Sequence, residues 1–320
     1  MSHTHYAEVL VLGAGMAGLA AAAELKAADK QVLVIDKARG LGGRLANRRM
    51  EEAVAEHGAQ FATAHDPRFQ AVLENWQARG FIESWFQGDE GTDQVVHYRG
   101  VPTMSAMAKQ LAQGVDTVLG KCAVAVTMLG NGWETQLESG ESIASESIII
   151  TSPVPQTLAL LEAGGVLMTA NDQQLLAGIE YEPCITVMAV LHSEPEIPAP
   201  GGLSMQVGPI AWLADNVQKG ISEKPCITLQ ANPEYSRENW DRDRTEVGQE
   251  LLTMAEHLLG ASVKGFQVHA WLYSRPLVTT EQACLVVSDV PKMVLAGDAF
   301  GGPHIEGAVL SGWAAAEAVL

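Results

Sequence analysis

The sequence is short of positive charge, of paired cysteines and of aromatic side chains, and each shortage removes a class of function. Its 320 residues carry 20 Lys and Arg against 38 Asp and Glu, a formal net charge of −18. Such a surface repels nucleic acid and anionic membranes, so neither is expected as a partner. An anionic small molecule could bind only where arginines gather against the overall field. The four cysteines, Cys122, Cys184, Cys226 and Cys284, lie far apart, with no CxxC pair and no histidine spacing of a zinc site. They read as free thiols of a reducing compartment, and no metal is expected. No run has the length of a membrane span. Residues 9–25 mimic the core of a signal peptide but lack a basic flank, contain a glycine turn and close on Glu24 and Lys26. A soluble, cytoplasmic protein is expected, long enough for two closely packed domains with a sizeable core.

Residues 7–12 (AEVLVL) are a continuous apolar run of strand length, and the glycine turn that follows opens an alanine-rich helix to about Asp29. Residues 31–35 (QVLVI) form a second buried strand. Strand, turn, helix and strand within thirty residues make a βαβ unit with a right-handed crossover. Asp66-Pro67 caps a helix to about Arg79, stopped by Gly80. Another helix is expected near Thr103, with Met104, Met107, Ala108 and Leu111 on one face. Short strands fill residues 115–151, with a turn at Gly130-Asn131-Gly132, until Ser152-Pro153-Val154-Pro155 breaks the pattern. Beyond it come strands at 185–191 and 227–230, a helix at 241–259 ended by Gly260, a last strand at 292–296 and a last helix at 305–320. The proline-rich stretch 194–200 reads as a surface connection. There is no repeat and no low-complexity segment.

The chemistry begins at Gly13-x-Gly15-x-x-Gly18. Glycine serves the tight turn, the approach of a pyrophosphate and helix–strand packing, while the amides of Met16 and Ala17 open the helix toward an anion. Asp36 ends the second strand, 18 residues after Gly18, where a carboxylate can accept ribose hydroxyls. A dinucleotide is therefore expected, and this motif alone does not choose between FAD and NAD.

The next residues do. Asp36-Lys37-Ala38-Arg39-Gly40-Leu41-Gly42-Gly43-Arg44 resembles an acidic-to-GGR signature of the flavin-containing amine oxidase superfamily. Physically, Gly42 and Gly43 let backbone pass a cofactor, and Arg44 offers a planar fork to phosphate. His57-Gly58-Ala59-Gln60-Phe61 is similar to the short element beside the flavin in that superfamily. Leu295-Ala296-Gly297-Asp298, Gly301-Gly302-Pro303-His304-Ile305-Glu306-Gly307-Ala308 and Ser311-Gly312 resemble its closing flavin motif. Residues 150–155 resemble its strand-to-proline crossover, and Ala123 falls where the adenine-contacting strand passes. The resemblance implies an FAD-binding Rossmann-like domain with a smaller α+β substrate domain. Residues 1–80, 114–155 and 264–320 would build the first, 81–113 and 156–263 the second. Asp298 would meet ribityl or pyrophosphate-proximal hydroxyls, and the helix start at Ile305 to Ala308 would point its positive end at the flavin edge that gains charge on reduction.

The resemblance breaks at the substrate face. Classical members flank the flavin with two tyrosines; here His304 takes one position, and Trp271-Leu272-Tyr273-Ser274-Arg275-Pro276 offers no clear second tyrosine and no attachment cysteine. FAD is therefore expected to be non-covalent. The short chain and the wording of the 36–44 and 57–61 motifs look most like the renalase branch. That implies oxidation of 2- and 6-dihydro isomers of NAD(P) to NAD(P)+, with hydride passing to flavin N5 and O2 reduced to hydrogen peroxide. Substrate-side candidates are His304, Gln60, Tyr273 and Arg275, with Arg99, Trp271 and Trp212 behind them. The rival expectations are an oxidase of a small amine, a flavin protein without catalysis, and a desaturase or mutase on the same scaffold.

Overall fold

A computed structural model describes residues 4–90 and 93–320. The apolar run of β1 (Thr4–Leu12) lies inside a parallel sheet because both of its faces are covered. The helix α1 (Met16–Ala27) crosses over to β2 (Val32–Asp36), which pairs with β1 from Val9↔Val32 to Leu12↔Ile35. Two hairpins follow: β3 (Asn47–Met50) with β4 (Ala53–Glu56) and, after α2 (Pro67–Ala78), β5 (Ile82–Glu90) with β6 (Asp93–Gly100). Asp66 caps α2 by accepting from the Arg68 amide, with Pro67 in the first turn. Next come α3 (Ser105–Leu111) and the strands β7 (Asp116–Leu119), β8 (Ala123–Leu129), β9 (Gly132–Leu137) and β10 (Ser142–Ile150). β7 extends the parallel sheet beyond β2, and β10 lies parallel on the other side of β1.

After α4 (Val154–Ala163) and α5 (Ala170–Ala177), the chain builds a second, antiparallel sheet from β11 (Tyr181–Leu191), β12 (Gly202–Ser204), β13 (Ile210–Asp215) and β14 (Cys226–Ala231). It is backed by α6 (Pro233–Glu238) and α7 (Arg244–Leu259) and completed by β15 (Val263–Pro276) beside β11. Asp243 caps α7, and Gly260 ends it at φ +58°. The chain then returns: β16 (Leu285–Asp289), β17 (Lys292–Leu295), α8 (Asp298–Gly301) and α9 (Ile305–Val319), with β17 parallel to β10. The sheet orders are β16-β17-β10-β1-β2-β7, with β8 and β9 off β10, and β12-β13-β14-β11-β15. α9 packs on α1 at backbone contact, since a Cβ at Gly312 would sit 2.2 Å from the Ala17 carbonyl oxygen. No helix among the described residues is long and apolar enough to cross a membrane.

The βαβ unit, the caps and the run of strands from 115 to 151 lie where the sequence puts them. Packing redraws the expected domain limits. Leu161 of α4 and Leu176 of α5 share a core with Val126 and Trp133 of the parallel-sheet unit, and Ile82, Tyr98, Met104 and Met107 share one with α1. β15, assigned from residue 264 to the cofactor domain, is hydrogen-bonded to β11 instead. Residues 181–276 thus form the antiparallel unit. The β5–β6 hairpin reaches across to it, with Trp85 and Trp212 in edge contact at 6.0 Å.

Candidate active site

The glycines of the first turn differ in why they are there. A Cβ at Gly18 would lie 1.9 Å from the Gly13 carbonyl oxygen, and Gly13 itself sits at φ +113° with Thr151 Oγ1 2.4 Å from its Cβ position, so both are demanded by the fold. Gly15 is not: its φ is −80°, and nothing lies within 4 Å of its Cβ position. A Cβ on Gly43 would meet only the Gly15 Cα, at a contact distance of 3.6 Å, so the two turns touch there, while the Cβ position of Gly15 looks into open space. The start of α1 has no side-chain cap and no acidic residue in its first turn, which leaves the Met16 and Ala17 amides turned to that space. Asp36 fixes the rim, its Oδ2 accepting from the Ala14 amide and its Oδ1 from the Ala38 amide, both at 2.7 Å. Lys121 and Gly120 amides donate to the Asp36 and Ala38 carbonyls, which brings the strand starting at Ala123 to the same rim. Lys37 is exposed and reaches Gln156 Oε1 at 3.2 Å.

Arg44 joins the two ends of the chain. Its Nη1 and Nη2 donate to Asp298 Oδ2 and Oδ1 at 2.6 and 2.7 Å, a two-bond fork, and Nη1 also donates to the Ser274 carbonyl at 3.0 Å. Asp298 is presented by Gly297, at φ +139°, whose amide donates to Ser311 Oγ. Beyond it the Gly301-Gly302 loop closes onto Gly307 at the start of α9, where a Cβ on Gly301 would lie 2.0 Å from the Gly307 carbonyl oxygen. His304 is the N-cap residue of α9 and exposed. Ile305 and Ala308 pack half-buried against the α1 core. Glu306 accepts the His65 and Asp66 amides at 2.7 Å, tying α9 to the start of α2.

The second sheet meets this cleft through the 56–61 segment. Trp212, Gln230, Thr186 and His269 stand in register across four strands. Gln230 donates to the Gly58 carbonyl at 2.8 Å, the His269 ring lies 4.5 Å from that of His57, and Trp212 lies 5.6 Å from Phe61. Gly58 admits no side chain, because its Cβ would be 1.9 Å from the Arg44 carbonyl oxygen. Beneath the segment Glu56 and Lys219, both fully buried, form an ion pair at 2.6 Å. Lys219 Nζ also donates to Gln60 Oε1 at 3.2 Å and lies 4.7 Å over the Trp85 ring; Glu56 Oε1 accepts the Met104 amide. Gln60 donates to the Glu56 and Gly58 carbonyls at 3.0 Å, so all of its amide is engaged. Burial draws the Lys219 ammonium below its ordinary pKa against the opposing pull of Glu56. Burial, then His269 and Arg48, brings His57 down to about 3, so its ring is neutral, and its Nδ1 is buried without a partner.

Around Gln60 the fold gathers Phe61, Trp85, Phe86, His97 and Trp212, with Phe86 and His97 stacked at 4.2 Å. The Trp212 indole N–H is buried with no partner. Of these residues the sequence singled out Gln60 and Phe61, in one motif, and Trp212; Glu56, Lys219, Trp85, Phe86 and His97 come from four separate segments with no shared spacing. Other candidates are held elsewhere. Arg275 pairs with Glu182 at 2.6 Å and Arg99 with Glu83 at 2.5 Å. Tyr273 packs edge to face on Tyr181, 5.4 Å away. Trp271 stacks on His57 at 5.4 Å and donates to its carbonyl at 2.7 Å. Burial pushes the Cys184 and Cys226 thiols up to about 11 and about 12. Among the described residues no three His, Cys, Asp or Glu side chains are grouped to hold a metal.

An open glycine turn, an acidic strand end and a closing strand–helix element around a parallel sheet define a dinucleotide-binding flavoprotein. Residues 11–76 match the NAD(P)-binding Rossmann-like domain, and residues 74–320 match the flavin containing amine oxidoreductases. The chain belongs to that family and is an FAD-dependent oxidoreductase. It is 22% identical to mouse renalase over 95% of this chain and 96% of the relative. Its fold is similar to putrescine oxidase with putrescine bound (TM-score 0.73, 14% identity, 98% and 99% of the two chains). It is similar also to a putative protoporphyrinogen oxidase from Exiguobacterium sp. 255-15 (TM-score 0.74, 13% identity, 100% and 99%). The residues present fit FAD: the open space at the Cβ position of Gly15, beside the uncapped start of α1, suits a pyrophosphate, and Asp36, Arg44 and Asp298 are strung from the β2 end to the α9 side of one cleft.

Proposed function

We propose that the protein oxidises 2- and 6-dihydro isomers of NAD(P) to NAD(P)+, holding FAD non-covalently. One observation carries this reading. The polar groups at Gln60 satisfy one another, and what remains around them is aromatic surface with a neutral, buried imidazole nearby. Gln60 is an amide and no base, and Lys219 is committed to Glu56 and Gln60. An amine donor, an ammonium ion near neutral pH, must shed a proton before it can give up a hydride, whereas a dihydropyridine gives up a hydride directly. Bound FAD would supply the hydride acceptor at N5 and the two-electron reduction of O2 to hydrogen peroxide.

The chain's own residues then do the work of orientation. Phe61, Phe86 and Trp212 offer faces and edges to a planar ring. Lys219 and Glu56 keep the 56–60 segment in place, and the helix start at Ile305 favours negative charge beside it. The match to mouse renalase over nearly the whole of both chains supports this reading. None of the thiols lies in the Trp271–Pro276 stretch of β15, in keeping with a cofactor held without a covalent link.

The test is anaerobic stopped-flow reduction of the FAD-loaded protein. It is mixed in turn with the dihydro isomers, ordinary 4-dihydro NAD(P)H and a panel of small amines. Fast bleaching by the isomers alone is expected. Bleaching by an amine alone overturns the reading in favour of an amine oxidase, and no bleaching by any donor overturns it in favour of a flavin protein without this catalysis.

A further inference from the structure

A cavity of about 410 Å³ opens where β11 begins and β15 ends, lined by Tyr181, Pro183, Arg237, Trp240, Leu272 and Tyr273 among others. That volume lies within the roughly 300–1,000 Å³ of small-molecule sites. Three aromatic rings wall it. Tyr181 and Tyr273 meet edge to face at 5.4 Å, and Trp240 carries the Arg244 guanidinium 4.9 Å from its ring centre. The backbone makes the space: the β11–β15 register shifts between Glu182 and Cys184, where Pro183 offers no amide to the ladder.

Arg237 sets the chemistry. Arg44, Arg68, Arg99, Arg242 and Arg275 are all paired with carboxylates. Arg237 is exposed at the end of α6, and among the described residues its guanidinium makes neither an ion pair nor a hydrogen bond. In a chain of net charge −18, an arginine left without an acid at the mouth of an aromatic cavity favours a flat ring that bears an anion. The cavity also backs onto the cofactor cleft. The Tyr273 ring lines it, while the Tyr273 and Ser274 carbonyls accept from the Arg44 guanidinium that holds Asp298.

We infer that this cavity binds a nucleoside phosphate, the adenosine-phosphate arm of the dinucleotide donor, with the base against Tyr181, Tyr273 and Trp240 and the phosphate at Arg237. The identity of that ligand rests on the donor proposed above. Arg275 and Arg99, the arginines among the substrate-side candidates of the sequence, are both taken by glutamates, and Arg237 is the one placed to serve.

The test is calorimetric titration of ADP-ribose into the protein saturated with FAD. Binding is expected, weakened tenfold or more in Arg237→Ala and in Trp240→Leu, partly restored in Arg237→Lys, and unchanged in Arg68→Ala, whose arginine pairs with Asp66 on α2. Arg237 is exposed, so its loss leaves the unfolding temperature unmoved. Absence of binding, equal binding in all variants, or release of FAD on titration overturns the site. Arg237-dependent binding without bleaching by the dihydro isomers upholds the site and sinks the oxidase reading. Bleaching by the isomers with a KM unmoved in Arg237→Ala does the reverse.

Discussion

The cofactor cleft and the aromatic cluster proposed as its substrate face are built by different means. At the cleft the parts are backbone: amides at the start of α1, glycines that leave room, and a carboxylate tied to two main-chain N–H groups. At the substrate face they are side chains brought from the β4 end, the β5–β6 hairpin, the turn after β13 and the β14 and β15 strands. A backbone site needs only a few residues at fixed spacing. A side-chain site needs the whole fold to be right first, and its stability hangs on groups that must be satisfied in pairs.

The sharpest way to break that contrast is Lys219→Met. Lys219 and Glu56 are both fully buried, and removing the ammonium strands a carboxylate that water cannot reach. A loss of about 3–5 kcal/mol in urea unfolding is expected from an uncompensated buried charge. Glu56→Gln combined with Lys219→Met recovers most of it, because the amide oxygen still accepts the Met104 N–H. A single variant within 1 kcal/mol of the parent would show that the pair is not a coupled unit. FAD affinity, set on the other side of the 56–60 segment, falls far less than stability in either case.

The same contrast explains what could be seen in the sequence. Gly13, Gly15, Gly18 and Asp36 lie within 24 residues, and their roles depend on local geometry that a strand, turn and helix supply. Arg44 and Asp298 are 254 residues apart, yet each sits in its own local motif, so both were legible before their contact was. Lys219 and Glu56 are 163 apart, and neither belongs to a motif. A lysine in a turn reads as solvated, but the Asp215 carboxylate, accepting the Val217 and Gln218 amides, and the main-chain bond from the Lys219 amide to the Asp215 carbonyl curl that turn so that Lys219 is buried. Trp271 and Tyr273 read as strand residues, but the partner of that strand did not. Its burial follows no period of two and its register with β11 slips between Glu182 and Cys184, so the pairing that takes it into the antiparallel unit has no local signal.

His57 gives the proposed substrate face a pH response of its own. Burial first, and His269 and Arg48 after it, hold its folded pKa near 3, against an unfolded value of 6.5. The unfolded chain therefore binds the extra proton between these values. The stabilising contribution is complete above pH 6.5 and is lost as pH falls toward 3, at about 1.4 kcal/mol per pH unit. Between pH 6.5 and 4.5 the difference in urea stability between parent and His57→Met should change by about 2–3 kcal/mol. Parallel pH profiles for the two proteins would show that His57 does not titrate in this way.

The smallest expected effect tests the contrast within a single turn. Gly18→Ala puts a methyl group 1.9 Å from the Gly13 carbonyl oxygen, a backbone atom that cannot rotate aside, and should cost about 1–3 kcal/mol of stability or somewhat more. Gly15→Ala meets nothing within 4 Å and has an ordinary φ of −80°, so the fold has no reason to reject it. Its unfolding without cofactor should match the parent within about 0.5 kcal/mol. If a pyrophosphate lies in the open space beside Gly15, the added methyl group occupies that space, and FAD binding by fluorescence titration should weaken tenfold or more. The two alanines thus separate what the chain needs to fold from what it needs to hold a cofactor. Equal losses of both properties in the two variants would mean that Gly15, like Gly18, serves the turn alone, and that the phosphates lie elsewhere along the cleft.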